Sequence, residues 1–298
     1  MALFLLLLLF TGTGQLFLHP AFCSPPPSSS SCDWCPCHTT ASLLPPAAAD
    51  LNDACGYGDA MATELSGAGL FAAAAGADFF RDGAGCGACY QLRCRDRRVC
   101  GGDGVKVVVV TGAANRTGFL LAREAFAAMA SRDHQQLAGA MEVDFRRIPC
   151  EYKNNLALRV EEGSRNPSHL AIRFLYQGGQ TDIAAVEIAQ QAVTNNHHPA
   201  GHDQPSLWRP MARLRRSSSS KWRTARAPAG PLRLRLVVTA GSGGKWLRAE
   251  EAVLPADWRP GQAYDTGLRV TDVAVRSCAR SCRALAGGGN EEEEEELR

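Results

Sequence analysis

The chain has 298 residues, 45% hydrophobic and 21% charged, with a formal net charge of +2. That is enough for two modest globular domains, and the charge balance excludes a general attraction to nucleic acid. Twelve cysteines make the redox compartment the first question.

Residues 1–22 answer it. Leu3 to Phe10 is an unbroken apolar run, interrupted by Thr-Gly-Thr-Gly before Leu16-Phe17-Leu18. The run is too short and too broken for a spanning helix and fits a secretory signal peptide, although a basic flank is missing. No later stretch is apolar enough to cross a bilayer. Export follows, so the cysteines read as disulfides rather than as zinc ligands.

Residues 23–49 form a Pro/Ser-rich lead-in that cannot bury a core. Cys32, Cys35 and Cys37 lie within it, after the Pro/Ser run Ser24 to Ser31. Cys32 can bridge locally to Cys35 or reach a distant partner, and Cys37 can be left odd.

Residues 50–152 form the first domain. It holds six cysteines, Cys55, Cys86, Cys89, Cys94, Cys100 and Cys150. Cys-x2-Cys spacing can hold zinc, or the six can form three disulfides. The run Val105 to Thr111 predicts a buried strand. Ala122 to Ala130 predicts a short helix with Ala122, Phe126 and Met129 on one face, and Glu142 to Ile148 alternates as a strand. Asn115 lies in the one usable glycosylation sequon, Asn115-Arg116-Thr117, because Pro167 disqualifies Asn166-Pro167-Ser168. The whole reads as a small β-barrel stapled by disulfides.

Residues 153–168 read as a linker, although Leu156 to Val160 alternates. Residues 169–264 form the second domain. Leu170 to Tyr176, Thr181 to Ala189, Leu232 to Val238 and Lys245 to Arg248 read as strands separated by glycine turns, which suggests an antiparallel sandwich. Residues 191–220 have no period and form an irregular insert. Seven Lys or Arg fall between Arg209 and Arg226, and no acid occurs from Gln204 to Ala249. This stretch could meet acidic pectin or nucleic acid, but a solvated loop is the preferred reading. Residues 283–298, with six glutamates, read as an acidic disordered tail.

Six motifs then fall in one order: Ala54-Cys55-Gly56-Tyr57-Gly58, Arg81 to Cys89, Arg146 to Tyr152, Asn166-Pro167 before a strand, Tyr176 to Thr181, and Leu254 to Trp258. With them the chain resembles the expansin superfamily, within it the expansin-like A group of plants, over most of residues 32–282. The resemblance implies a mainly β protein. A six-stranded double-psi barrel related to family 45 glycoside hydrolases would be followed by an immunoglobulin-like β-sandwich that binds carbohydrate. It also implies the pairings Cys55–Cys86, Cys89–Cys150 and Cys94–Cys100.

The related hydrolases need two carboxylates, one to protonate the leaving oxygen and one to activate water. Where the resemblance expects Thr-Asp the chain has Thr111-Gly112, and His-Phe-Asp aligns with Gly118-Phe119-Leu120. Thr111 to Arg123 contains no Asp or Glu. Asp50 is the nearby acid in a plausible groove position.

Sugar binding uses aromatic faces stacked on pyranose rings. That row is depleted, with His169 for an expected Tyr, Ser218 for another aromatic, and Leu43-Leu44 for an aromatic pair. Trp208 and Trp222 match family tryptophans, with Trp222 read as core, and Trp246 and Trp258 are read as packing.

The expected function is a secreted, non-hydrolytic cell-wall protein that binds cellulose, xyloglucan or another matrix glycan and disturbs contacts between glucans. Asp50, Tyr57, Asn166, His169 and Trp208 are the expected polysaccharide contacts. No cofactor, metal, nucleic acid or membrane is expected, and the chain is expected to be a monomer. The alternatives are a β-glucan hydrolase and a structural wall protein without loosening activity.

Overall fold

The computed structural model describes residues 22–23, 37–45, 54–57, 65, 67, 69–96, 98–101, 104–113, 116–130, 139–178, 181–191, 207–214, 220–240 and 243–270. Most of the signal peptide, Cys32, Cys35, Asp50, Asn115, Ser218 and the acidic tail therefore lie outside the described residues.

The first sheet is mainly antiparallel and closes on itself. Its strands are β1 (Phe22–Cys23), β2 (Cys37–Leu43), β3 (Leu70–Ala75), β4 (Cys89–Cys94), β5 (Val105–Gly112), β6 (Phe119–Leu121) and β7 (Ala140–Ile148). The order is β1-β2-β6-β3-β5-β4-β7, and β2 also pairs with β7, so six strands form a barrel with β1 attached at one side. Two pairs, β2 with β6 and β3 with β5, are parallel. Val107, Val108 and Val109 on β5 are buried with the Ala73 and Ala75 side chains of the neighbouring strand. Phe79, Tyr90, Phe119 and Phe145 meet in the centre, the closest rings 4.4 Å apart between Phe79 and Phe119. Such ring clusters contribute about 0.5–1.5 kcal/mol per pair beyond burial.

The barrel starts earlier than the sequence suggests. Strand β2 lies in the segment assigned to the lead-in and pairs with β7 over six positions, Cys37 opposite Phe145 to Ser42 opposite Ala140. Only Cys37 and Ala41 of β2 are fully buried, so its sequence carries little apolar alternation. Cys37, which the sequence leaves odd, is disulfide-bonded. The helix is Arg123–Met129, one residue inside its predicted ends, and it buries Ala125, Phe126 and Met129.

Three disulfides staple the barrel: Cys55–Cys86, Cys89–Cys150 and Cys94–Cys100. The first two close loops with separations of 31 and 61 residues, against 6 for the third. In the chain-entropy picture each long closure contributes about 3–4 kcal/mol by restricting the unfolded chain.

The second unit is a two-sheet sandwich. One sheet has the order β11-β10-β14-β15, from β10 (Ile183–Gln190), β11 (Arg209–Pro210), β14 (Leu232–Ala240) and β15 (Gly243–Leu254). The other has the order β12-β13-β9-β8-β16, from β8 (Leu156–Val160), β9 (Leu170–Leu175), β12 (Ala212–Arg213), β13 (Lys221–Thr224) and β16 (Ala263–Leu268). Leucines 232, 234 and 236 and Val238 face the shared core with Phe174, Trp222 and Trp258, the inward half of a period-2 pattern.

Two expectations are corrected here. Strand β8 falls inside the stretch read as a linker, yet it is an inner strand of a sheet, paired with both β9 and the edge strand β16. The stretch read as an irregular insert supplies β11 and β12, which pair with β10 and β13. Two-residue strands carry no readable period, which is why the sequence hides them.

Candidate functional site

The two domains meet over an ion cluster. Arg81 stands in the short 3-10 turn Arg81–Gly83, and Arg147 stands on β7. Both reach Asp182, which precedes β10. Arg81 donates from Nη1 at 2.7 Å and from Nη2 at 3.1 Å, and Arg147 donates from Nη2 at 2.8 Å. Burial alone would push the Asp182 carboxyl up, but the guanidinium groups of Arg147 and Arg81 outweigh it and hold the group well below the usual carboxylate range.

Arg81 and Asp82 both adopt left-handed backbone, with φ of 46° and 52°. For such residues this costs on the order of 1–3 kcal/mol each and persists where surroundings impose it. Arg81 makes its two-pronged bond to Asp182 from this turn.

A second cluster sits beside the first. Glu161 accepts from Arg173 Nη2 at 2.8 Å and faces Lys221 Nζ at 2.6 Å. Burial would raise Glu161, and the bonds from Arg173 and Lys221 lower it more. Arg173 lies against the barrel at Gly56, where φ is 75° and an added Cβ would fall 1.3 Å from Arg173 Nη1. No other residue type fits that approach.

Between the domains lies a cleft of about 460 Å³ lined by Arg81, Asp82, Ala184, Arg213 and Trp222. Its polar groups offer guanidinium donors and one carboxylate acceptor to sugar hydroxyls. The Arg213 guanidinium lies 5.7 Å from the Trp222 ring. Trp222 is only 4% exposed, so it is core, as the sequence suggests, with one edge on the cleft.

At the barrel strand ends, Gly112 takes the position where the resemblance expects a carboxylate. A Cβ at Gly112 would fall 2.5 Å from Phe80 Cδ1, so the buried Phe80 ring occupies the space such a side chain would need. Nearby, Ala113 N–H bonds to the Ala75 carbonyl at 2.8 Å, and Gly76 N–H to the Gly118 carbonyl at 2.8 Å. Small residues thus seal this rim with backbone.

The expected polysaccharide contacts are not brought together. Asp50 is outside the described residues. Tyr57 is 5% exposed, with its hydroxyl over Gly87 beside Gln177. It packs in the barrel core rather than offering a ring to a glycan, which corrects its assignment. The Asn166 amide donates to the Ala256 carbonyl at 2.8 Å and the Trp258 carbonyl at 3.2 Å, so it ties two loops. His169 is half-buried, and its backbone bridges Arg165. Trp208 stacks on Arg235 of the four-stranded sheet, whereas His169 leads into the other sheet. Trp208 and His169 therefore do not form one row.

The sequence reading also missed two features. Trp246, read as packing, is 52% exposed. Its signal was present: Leu247 and Ala249 point inward on β15, so Trp246 and Arg248 must point out. Arg81 and Asp182, 101 residues apart, carry no local signal of their meeting.

Comparisons with known proteins agree with this architecture. The Expansin C-terminal domain family matches residues 156–255, beginning at β8. Expansin-like A4 of Oryza sativa subsp. japonica is 58% identical over 278 residues, which is 86% of this chain and 85% of the relative. Expansin-like A2 of Arabidopsis thaliana is 40% identical over 261 residues, 84% of this chain and 90% of the relative. In fold, the apo Clavibacter michiganensis expansin matches 79% of this chain and 98% of its own with a TM-score of 0.50 at 20% identity. By these likenesses, the chain belongs to the expansin superfamily, among the expansin-like A proteins.

Proposed function

We propose that this protein is exported to the plant cell wall, binds wall polysaccharide without cutting it, and disturbs contacts between glucans. Family membership supports the setting. The observation that carries the non-hydrolytic part is Gly112 packed against Phe80, in a stretch from Thr111 to Arg123 without Asp or Glu. One positioned acid or base supplies about 100–10,000-fold in rate, and that rim has none within this stretch.

The cleft between the domains is the proposed glycan contact. A chain laid there touches Arg81 and Asp82 of the barrel and Arg213 and Trp222 of the sandwich. Because Asp182 already ties the domains together, little binding energy is lost in ordering them. Hydrogen bonds to hydroxyls dominate this contact, since the single indole is largely covered.

Retention on cellulose and on xyloglucan-coated cellulose tests the reading. Arg213→Ala should lower retention several-fold with the fold intact. His169→Tyr, which restores the ring expected before β9 outside the cleft, tests whether the glycan extends past it: a ring adding about 1.4 kcal/mol should raise retention roughly tenfold. Unchanged retention in folded Arg213→Ala protein would remove the cleft from the binding surface.

A further inference from the structure

The outer face of the four-stranded sheet holds a feature that the cleft does not use. On β14 the leucines at 232, 234 and 236 are buried, which turns Arg233 and Arg235 outward. Register sets Glu187, Arg235 and Arg248 side by side across β10, β14 and β15, with Trp246 opposite Val237.

The Arg235 guanidinium lies 4.5 Å from the Trp208 ring and 4.6 Å from the Trp246 ring. One cation is thus held between two indoles. Glu187 pairs with Arg235 and fixes it there. Arg248 stands 5.5 Å from Trp208. Arg233 reaches only the Glu250 carbonyl, and neither Arg233 nor Arg248 pairs with a carboxylate among the described residues.

Two consequences follow from the chemistry. An indole locked by a cation presents a fixed apolar plane, the surface on which the C–H face of a sugar ring stacks. Around it stand guanidinium donors, while the Glu187 carboxylate is already taken by Arg235. A neutral glucan hydroxyl offers little that favours two uncompensated guanidinium groups. A carboxylate does, because guanidinium–carboxylate bonds are charge-assisted and can be bidentate. The sequence agrees, since β11, all of β14 and the Trp246–Arg248 part of β15 come from the acid-free stretch Gln204 to Ala249.

We propose that this face is a second glycan site, for a uronate-bearing polysaccharide. A sugar ring lies on Trp246 and its carboxylate is taken by Arg248, with Arg233 further along the sheet for the carboxylate of another residue of the polymer. Trp208, Arg235 and Glu187 position the platform. The site is separate from the cleft between the domains and does not depend on the glucan reading of that cleft.

The test uses the full mature chain and two probes on the same backbone, polygalacturonate and its fully methyl-esterified form, in which each carboxylate is masked as a neutral ester. Binding is followed by tryptophan fluorescence and by retardation in gels containing each polymer. Polygalacturonate should bind and the ester should bind about tenfold more weakly. Arg248→Gln and Trp246→Ala should each weaken polygalacturonate binding by a similar factor. Both variants should leave retention on cellulose unchanged, which separates this site from the cleft. Arg248→Lys, which keeps the charge but not the fork, should fall between the parent and Arg248→Gln. Equal binding of the two polymers, or unchanged affinity in a folded Arg248→Gln protein, would overturn the proposal. Competition by cellohexaose at Trp246 would also overturn it, as it would make the face a neutral-glucan site.

Discussion

Two arginine clusters in this molecule have opposite fates. At the domain junction, Arg81 and Arg147 converge on one carboxylate, Asp182, which is 18% exposed. On the outer sheet, Arg235 and Arg248 lie against indoles, and the Glu187 carboxylate pairs with Arg235. The same side chain serves as a tie where an acid meets it under cover, and as a recognition group where it stays half in water. Access to an acid separates the two roles: Arg147, 10% exposed, is matched by Asp182, because a covered guanidinium without a partner is strongly disfavoured.

The junction offers the sharpest way to break this contrast. Asp182→Ala leaves the covered Arg147 and the partly exposed Arg81 facing no acid, and should destabilise the protein by about 3 kcal/mol, the low end for a buried pair because Arg81 keeps a third of its side chain in water. Denaturant unfolding checks it, with fluorescence reporting the sandwich, since Trp208, Trp222, Trp246 and Trp258 all lie there. The pH dependence has a definite sign. Asp182 is depressed in the folded state, so its contribution is full above the unfolded value of about 3.9 and is lost as pH falls through the lower folded value. Glu161 moves the same way. Stability from these groups should stay flat from neutral pH down to about pH 5 and fall below about pH 4. A loss that began near pH 6 would point to other groups.

Tryptophans repeat the contrast on one fold. Trp222 is 4% exposed and Trp246 is 52% exposed. Trp222→Ala should cost about 3–5 kcal/mol, whereas Trp246→Ala should stay within about 0.5 kcal/mol. Thermal melts of the two variants distinguish them. Equal losses would mean that Trp246 is packed, and the outer platform would lose its basis.

A smaller loss than at Trp222 is expected at the barrel rim. Gly112→Ala brings a methyl group to 2.5 Å from the Phe80 ring and should cost about 1–3 kcal/mol by overpacking. Phe80→Leu in the same chain should recover part of that loss, as a double-mutant cycle would measure.

Much of the fold was legible because its central strands obey a period of two. Leu232 to Leu236 places leucine inward and arginine outward at every step, and Val105 to Thr111 is apolar enough for a barrel interior. Strand β2 escaped notice because Cys-His-Thr-Thr-Ala-Ser-Leu buries only a cysteine and an alanine fully, behind a Pro/Ser-rich stretch. Its membership is fixed by pairing with β7, a partner about a hundred residues away. The site was less legible than the fold. Residue type marked Tyr57 and Trp208 as sugar contacts, but exposure depends on neighbours brought in by register and domain docking. Tyr57 is closed off over Gly87, and Trp208 is carried to the other sheet by the pairing of β11 with β10. The missing acid at Gly112 was readable; that Phe80 fills its place was not.

Binding without cleavage is the centre of this account, and one incubation tests it. Purified protein is mixed with cellulose and xyloglucan, and bound protein and new reducing ends are measured in the same tubes over time. The account predicts protein on the polymer and reducing ends at the level of the protein-free control. Reducing ends that rise in proportion to protein and time, and that disappear in Asp50→Asn, would contradict it and make Asp50 the first candidate for a catalytic carboxylate.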